Sequence, residues 1–329
     1  KWNAIVQREL PWNMSVEVGY EGNHQAHQVY LTNTDYAGNL GTINSSISSA
    51  TLQEIQPECP PPTCVSPGNG LSMTLSNGYG NYAAGTVKLE KRYSKGLQFL
   101  AAYTWSHALA DSGTPLSGGA NFGVPYAPNQ GSAYASAAWD IRHSFTTGFN
   151  YDLPFGRGKQ FGGNMPKAAD YVVGQWHLNG ILTLRTGQPF SFNGASCQGV
   201  WNKCSPDIVP GYTANQAPSG GRNANEWFDP AAYAVAAPLT GGDLGQAAGT
   251  GPPTETLDFS TFKDFALTER FKMQFRGEFI NLFNFPLLSQ PDASLGDSKA
   301  LGGNGNFGVI TGATVGSERH IQFSLRLSF

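Results

Sequence analysis

Phe271-Lys-Met-Gln-Phe-Arg-Gly-Glu-Phe279 sets Phe271, Met273, Phe275, Gly277 and Phe279 in alternation with Lys272, Gln274, Arg276 and Glu278. On a strand the stretch has one apolar and one charged face, whereas a helix would smear the charge around every side. The last residues repeat the pattern: Ile321, Phe323, Leu325, Leu327 and Phe329 alternate with Gln322, Ser324, Arg326 and Ser328. Weaker versions occur upstream. Their apolar faces are Met14, Val16, Val18 and Tyr20; Leu97, Phe99, Ala101, Tyr103 and Trp105; Phe145, Thr147, Phe149 and Tyr151; and Trp176, Leu178, Gly180, Leu182 and Leu184. Segments near 2–9, 81–93 and 256–265 read as strands less cleanly, the last because Phe262 and Lys263 break the register. The count is about nine strands.

The connections are as telling. Leu10 to Trp12, Ser94 to Lys95 and Ala266 to Glu269 are short, and Pro154 to Gly174 is middling. Between them lie stretches of about 60, 35, 70 and 34 residues, so every second connection is long. A soluble sandwich has no reason to segregate its long loops, whereas a transmembrane barrel has short periplasmic turns and long extracellular loops. The expected fold is therefore an all-β, antiparallel transmembrane β-barrel occupying 1–329 as one domain, with the last strand descending to the periplasm. Nine is odd and bacterial barrels are generally even-stranded, so the chain is expected to be the C-terminal part of a larger barrel. Aromatics at strand ends, Tyr20, Tyr93, Tyr103, Trp105, Tyr151, Phe155 and Trp176, suit an interfacial girdle, with strand-end core packing as the alternative.

Composition is compatible with this. Of 329 residues 13% are charged and 12% aromatic, with 41 Gly and 21 Pro, too aromatic for disorder and too glycine-rich for a helical protein. No apolar run approaches a membrane-spanning helix, and mean hydropathy is −0.29, but a barrel needs apolar residues only at alternate positions. A net charge of −3 leaves no basic stripe for nucleic acid. Cys59 with Cys64 and Cys197 with Cys204 form close pairs, read as local disulfides in outer loops; spacers of four and six residues fit zinc poorly.

The candidate functional groups are those of the polar alternate face: Glu17, Lys88, Glu90, Arg92, Arg142, Asp152, Arg185, Lys272, Arg276, Glu278 and Arg326. In a barrel they project into the lumen, to contact a plug or a solute. Other patterns carry less. Gly303-x-Gly305-x-x-Gly308 lacks the strand-turn-helix setting of a dinucleotide site, and Gly156-Arg-Gly158-Lys159 lacks the spacing of a phosphate loop. His24 and His27 near Glu21 are spaced for a helix but sit at a strand end, so hydrogen-bonded histidines are expected there rather than a metal. No nucleophile elbow or Ser, His and acid arrangement is evident, so neither an enzyme nor a cofactor is expected.

Five segments resemble the barrel of the Oar-like (OmpA-related) TonB-dependent receptors: Tyr103-Thr-Trp-Ser-His-Ala108, Trp139-Asp-Ile-Arg-His-Ser-Phe145, Tyr151-Asp-Leu-Pro-Phe-Gly-Arg-Gly-Lys159, Arg185-Thr-Gly-Gln-Pro-Phe190, and Phe271 through Asn281-Leu-Phe-Asn284. The opening, Trp2-Asn through Gly19-Tyr20 and His24 to His27, is similar as well. The resemblance implies a barrel of 22 strands in the bacterial outer membrane, a plug within it, and uptake of a nutrient such as a glycan fragment or chelate, energised through the TonB complex. The plug and N-terminal regulatory-like domain are absent from these residues. Ile321, Phe323, Leu325, Leu327 and Phe329 also resemble the signal read by the barrel-assembly machinery. Two other readings remain: a structural or adhesive barrel that displays its loops, and a soluble secreted β-protein.

Overall fold

The computed structural model describes residues 1–33, 72–111, 134–195, 205–236, 242–268 and 270–328. Nine long strands follow one another in chain order across a single antiparallel sheet: β1 (Trp2–Leu10), β2 (Met14–Asn33), β3 (Ser72–Ser94), β4 (Leu97–Ala110), β6 (His143–Asp152), β7 (Trp176–Arg185), β12 (Thr254–Ala266), β13 (Lys272–Ile280) and β14 (His320–Ser328). The two-residue β5 (Ala135–Ser136) pairs beside the top of β4. Each neighbour is the next long strand, a meander whose contacts are all hairpins. The sheet is open along this path, with β1 and β14 at its edges.

The register joins the alternations into two continuous faces. Gln7, Glu17, Lys88, Ala102, Thr146, Thr183 and Thr256 form one lateral row. The row displaced by one residue reads Val6, Val18, Val87, Tyr103, Phe145 and Leu184. Every strand residue assigned above to an apolar face lies on the side of the second row, so the period-2 reading is consistent from β2 to β14. The apolar band from Leu97 to Trp105 spans eight residue steps, about 27 Å along the strand and about 20 Å in height at the tilt usual for barrels. That matches the hydrocarbon of an outer membrane.

The turns follow the predicted segregation. At one end are residues 11–13, 95–96, 153–175 and 267–271; at the other are the long connections. Lys95 and Gly96, both at positive φ (51° and 80°), make the two-residue hairpin turn whose twist suits the flanking strands. Two expectations need correction. The first long connection is not about 60 unpaired residues: β2 and β3 stay paired to Asn33 and Ser72, through irregularities at Gln25–Tyr30. At 20 and 23 residues these strands exceed the roughly 10 needed to cross, and the hairpin rises about 30 Å beyond its neighbours. The middling connection also contains a helix, α1 (Lys167–Val173), bracketed by Pro166 and Gly174.

The buried apolar core is not in the sheet. It lies among the outer connections, where Phe190, Phe192, Trp227, Phe228, Tyr233, Leu244, Leu295, Phe307 and Ile310 cluster. Two small ribbons frame it: β8 (Pro189–Phe190) with β11 (Gly249–Thr250), and β9 (Asp207–Ile208) with β10 (Tyr233–Ala234). The connections after β7 and after β13 interlock through backbone bonds from Asn193 N to Ala293 O (2.9 Å), Leu295 N to Asn193 O (2.9 Å), Trp227 N to Gly308 O (2.7 Å) and Ile310 N to Ala224 O (2.7 Å). Phe192 stacks on Tyr233 at 4.5 Å and meets Phe228 edge-on at 4.9 Å. Such pairs add about 1 kcal/mol each beyond area burial, enough to hold two loops as one cap.

Candidate functional site

The polar face is built by the sheet register alone. Glu17, Lys88, Glu90, Asp152, Arg185, Lys272, Arg276, Glu278 and Arg326 all fall on the side opposite the apolar band. Arg92 lies at the irregular end of β3, where its backbone N bonds Asn13 O at 2.9 Å. Arg142 stands just before β6, on the long-loop rim rather than within a strand. Lys88 reaches Glu90 at 3.8 Å and Arg276 reaches Glu278 at 3.5 Å, all four partly exposed. Pairs like these contribute about 0–1 kcal/mol, so their effect is to place charge rather than to hold the sheet. Glu17, Arg185, Lys272 and Arg326 have no ion-pair partner among the described residues.

At the short-turn end a polar network crosses the strands. The His177 ring lies between Asp152 (Nδ1, 2.6 Å) and Asp264 (Nε2, 3.4 Å); Tyr93 donates to Asp152 and Gln274 donates to Asp264 at 2.9 Å. Asp152, expected as a lumen contact, is thus already bonded from two sides. The irregular step at Phe262-Lys263 has its explanation here. The strand does not slip; the two residues exchange roles. Phe262 falls on the polar face beneath Arg276, whose guanidinium sits 4.6 Å from the ring. Lys263 falls on the apolar face, buried, with Nζ bonded to Gly174 O and flanked by Trp176 (5.5 Å) and Phe265 (5.1 Å). An ammonium beside aromatic rings at the strand end is held as snorkelling residues are held at a membrane boundary.

The long-loop end is organised by the motifs that carried the resemblance. In Trp139-Asp-Ile-Arg-His, the buried Asp140 accepts from His107 Nδ1 (2.9 Å), Ala108 N (2.8 Å) and Arg142 Nε (3.2 Å). Tyr103 Oη bonds His143 Nδ1 at 2.7 Å, and Ser106 Oγ donates to Ile141 O at 2.7 Å. Arg185-Thr-Gly-Gln-Pro-Phe is the exit of β7 into the cap: Gly251 N bonds Gln188 O at 2.9 Å, and Phe190 enters the cap core. Asn281-Leu-Phe-Asn closes β13. Asn281 and Asn284 adopt left-handed backbone (φ 50° and 57°), and buried Asn281 ties both ends of its loop, donating to Phe285 O (2.9 Å) and Ser317 O (2.7 Å) while accepting from Phe285 N (3.0 Å). Each of these motifs anchors an outer loop to the rim.

The glycine string 303–308 belongs to the same cap. Gly303 N, Gly305 N and Gly308 N bond Ser298 O, Asp297 O and Asp292 O, wrapping the segment around 292–298. A Cβ on Gly303 would sit 2.3 Å from Gly296 O, so glycine is needed for close backbone approach, not for phosphate. Burial lifts the Tyr233 phenol well above its usual range, opposed by the Arg222 charge and reinforced by Asp229. The Asp297 carboxyl is raised by desolvation, then by the charge of Asp292 and a hydrogen bond to it. His24 is on the β2 ladder and His27 is in its irregularity (φ 58°), both within the strand rather than at a loop entry, bonded by Nδ1 to Asn81 Oδ1 (2.8 Å) and Ser76 O (3.3 Å). Cys59, Cys64, Cys197, Cys204 and Phe329 lie outside the described residues.

The sequence reading missed the cap, although a signal was present. Phe190, Phe192, Trp227, Phe228 and Tyr233 crowd a connection taken as open loop, and solvated loops do not accumulate that much aromatic surface.

A two-faced antiparallel meander with segregated turns and loops defines a transmembrane β-barrel protein of the bacterial outer membrane. Residues 1–322 match a family model described as an outer membrane beta barrel domain, and the chain belongs to that family. No curated protein matches it. Among solved structures it is similar to the outer membrane transporter YddB from Escherichia coli, with 7% identity and a TM-score of 0.44 over 99% of this chain. The chain spans 32% of the length of that structure.

Proposed function

We propose that this barrel segment belongs to a TonB-dependent receptor that captures a nutrient at the cell surface and passes it inward without covalent chemistry. The observation that supports this most is a largely polar face carried across nine strands, on which Glu17, Arg185, Lys272 and Arg326 have no ion-pair partner among the described residues. A barrel that only displayed loops would have no need of uncompensated interior charge, which a plug or a passing polar solute would satisfy. The nutrient class is a glycan fragment or a metal chelate, the partners are the TonB complex and the assembly machinery, and the interlocked cap is the first surface a ligand meets.

The test is uptake by a strain lacking the gene, complemented with the whole protein. A panel of labelled oligosaccharides and iron chelates is offered with and without collapse of the proton-motive force. The proposal requires at least one substrate whose uptake needs both the gene and the energy source. A second reading, an adhesive barrel, draws on the packed cap, which would suit display of a fixed surface; energy-independent adhesion lost with the gene, and no uptake defect, would select it.

A further inference from the structure

The interior face is not uniform. Three successive lateral rows on β4, β6, β7 and β12 are nearly free of charge. The first reads Gln98, Asn150, Asn179 and Ser260, the second Leu100, Gly148, Ile181 and Asp258, and the third Ala102, Thr146, Thr183 and Thr256. Asp258 is their one ionisable group, and its carboxylate already accepts from Asn281 N at 2.9 Å. Charge gathers to either side instead, at Lys88 and Glu90 on β3 and at Arg276 and Glu278 on β13.

The middle row is recessed. A cavity of about 420 Å³ lies around Gly148, edged by Gln98, Asn150, Asn179 and Ser260, with Leu100 and Ile181 flanking the glycine. Phe99, Phe149 and Gly180 also border it, but their register assigns them to the lipid side, so the chemistry of the recess is that of the interior residues. A Cβ on Gly148 would meet nothing closer than Gly180 O at 3.9 Å, so packing does not call for glycine here. Glycine inside a strand weakens it and often marks a close approach to the backbone. Beside it Leu100 and Ile181 are 44% and 55% exposed, aliphatic surface on an otherwise polar wall. The side chains of Gln98, Asn150, Asn179 and Ser260 make no hydrogen bond among the described residues, which leaves amides and a hydroxyl able both to donate and to accept.

We infer that the recess on the interior wall of β4, β6, β7 and β12 binds a neutral, polyhydroxylated solute, an oligosaccharide. The C–H face of a sugar ring rests on Leu100 and Ile181 across Gly148, and its hydroxyls bond the row of Gln98, Asn150, Asn179 and Ser260. Such a ring carries apolar faces, a polar edge and no charge, which is what the three rows offer. An anionic chelate would find no counter-charge in these rows and would face Asp258. A neutral solute need only exchange water for the donors and acceptors of the wall. The inference deepens the transport reading by choosing the glycan over the chelate, and it rests on that reading for the onward passage of the solute.

Full-length protein purified in detergent is titrated calorimetrically with maltohexaose, cellohexaose and xylohexaose, and with hexagalacturonate as the charged counterpart. At least one neutral sugar is expected to bind, roughly tenfold or more tighter than hexagalacturonate. Asn150→Leu with Asn179→Leu weakens that binding roughly tenfold or more, as loss of two hydrogen bonds implies. Gly148→Leu, whose Cβ has room, fills the recess and does the same. Thr147→Val, on the lipid side of the same strand, leaves the affinity unchanged. Gln98→Ala with Ser260→Ala decides the matter should the other variants fail to give the heat-modifiable folded form. No binding of the neutral sugars, tighter binding of hexagalacturonate, or an affinity unmoved by the wall variants overturns the inference. Its failure is separable from failure of the transport reading. Chelate uptake that needs the gene and the energy source, with no sugar bound, overturns the recess alone; sugar binding lost in the wall variants, with no energy-dependent uptake, overturns transport alone.

Discussion

Asn281 offers the sharpest test of how the outer cap is fastened to the barrel. Its side chain makes three hydrogen bonds at 2.7–3.0 Å, to Phe285 O, Ser317 O and Phe285 N, in a site only 3% exposed. At about 1 kcal/mol net per bond, Asn281→Ala costs about 3 kcal/mol, and more where the stranded backbone groups stay dry. The backbone adds to this. With φ at 50°, alanine loses about a further 1 kcal/mol that asparagine avoids. Asn281→Gly removes the bonds but not the backbone tolerance, so it should lie about 1 kcal/mol closer to wild type. The loss is local, because the sheet register does not pass through this side chain. A change of about 3 kcal/mol raises loop opening more than 100-fold, read as faster amide exchange at Phe285, Leu287 and Ser317 and faster proteolysis of 281–319, with unchanged heat-modifiable barrel mobility. Wild-type exchange rates in Asn281→Ala, or equal acceleration across β13 and β14, would refute the reasoning.

The two faces can be separated on one strand. Leu182→Lys, on the apolar side of β7, should cost about 2–4 kcal/mol near mid-membrane and reduce folded protein in outer-membrane fractions, while Thr183→Lys is tolerated; equal yields would contradict the facing given by the register. Asp140→Ala leaves the Ala108 amide unpaired and releases His107 and Arg142, a loss of about 2–3 kcal/mol visible as faster exchange at Ala108. Phe228→Ala, at 0% exposure, should cost the cap about 3–5 kcal/mol and speed cleavage in both interlocked loops, not in one alone. The raised Asp297 carboxyl makes the folded cap bind its proton more tightly than the unfolded loop. The resulting stability is present below the ordinary carboxylate range and is lost as pH rises through the raised value. Cap proteolysis by an acid-tolerant protease should therefore accelerate over that interval in wild type and lose this dependence in Asp297→Asn.

The strands and their facing were readable from residues alone, because period 2 is a local property. In Phe271 to Phe279 and Ile321 to Phe329 each side chain states its own side, and a single register error would have put Lys and Arg in lipid. The segregation of short and long connections was equally legible, since it needs only counting. The polar face followed as the complement of the apolar one. What the sequence could not state was anything that depends on two distant segments meeting. The cap forms because Phe190, Phe192 and Phe228 meet Phe307 and Ile310 from another connection, and no local period marks that meeting. Asn281-Leu-Phe-Asn and Trp139-Asp-Ile-Arg-His were recognisable as strings, but their hydrogen bonds to Ser317 and to His107 exist only once the rim is assembled. Lys263 shows the same division: one-dimensional reading sees a misplaced charge, and only the neighbouring strands and the α1 connection supply the carbonyl and the rings that hold it. Alternation is a property of one strand, whereas a packed cap is a property of several segments brought to one place.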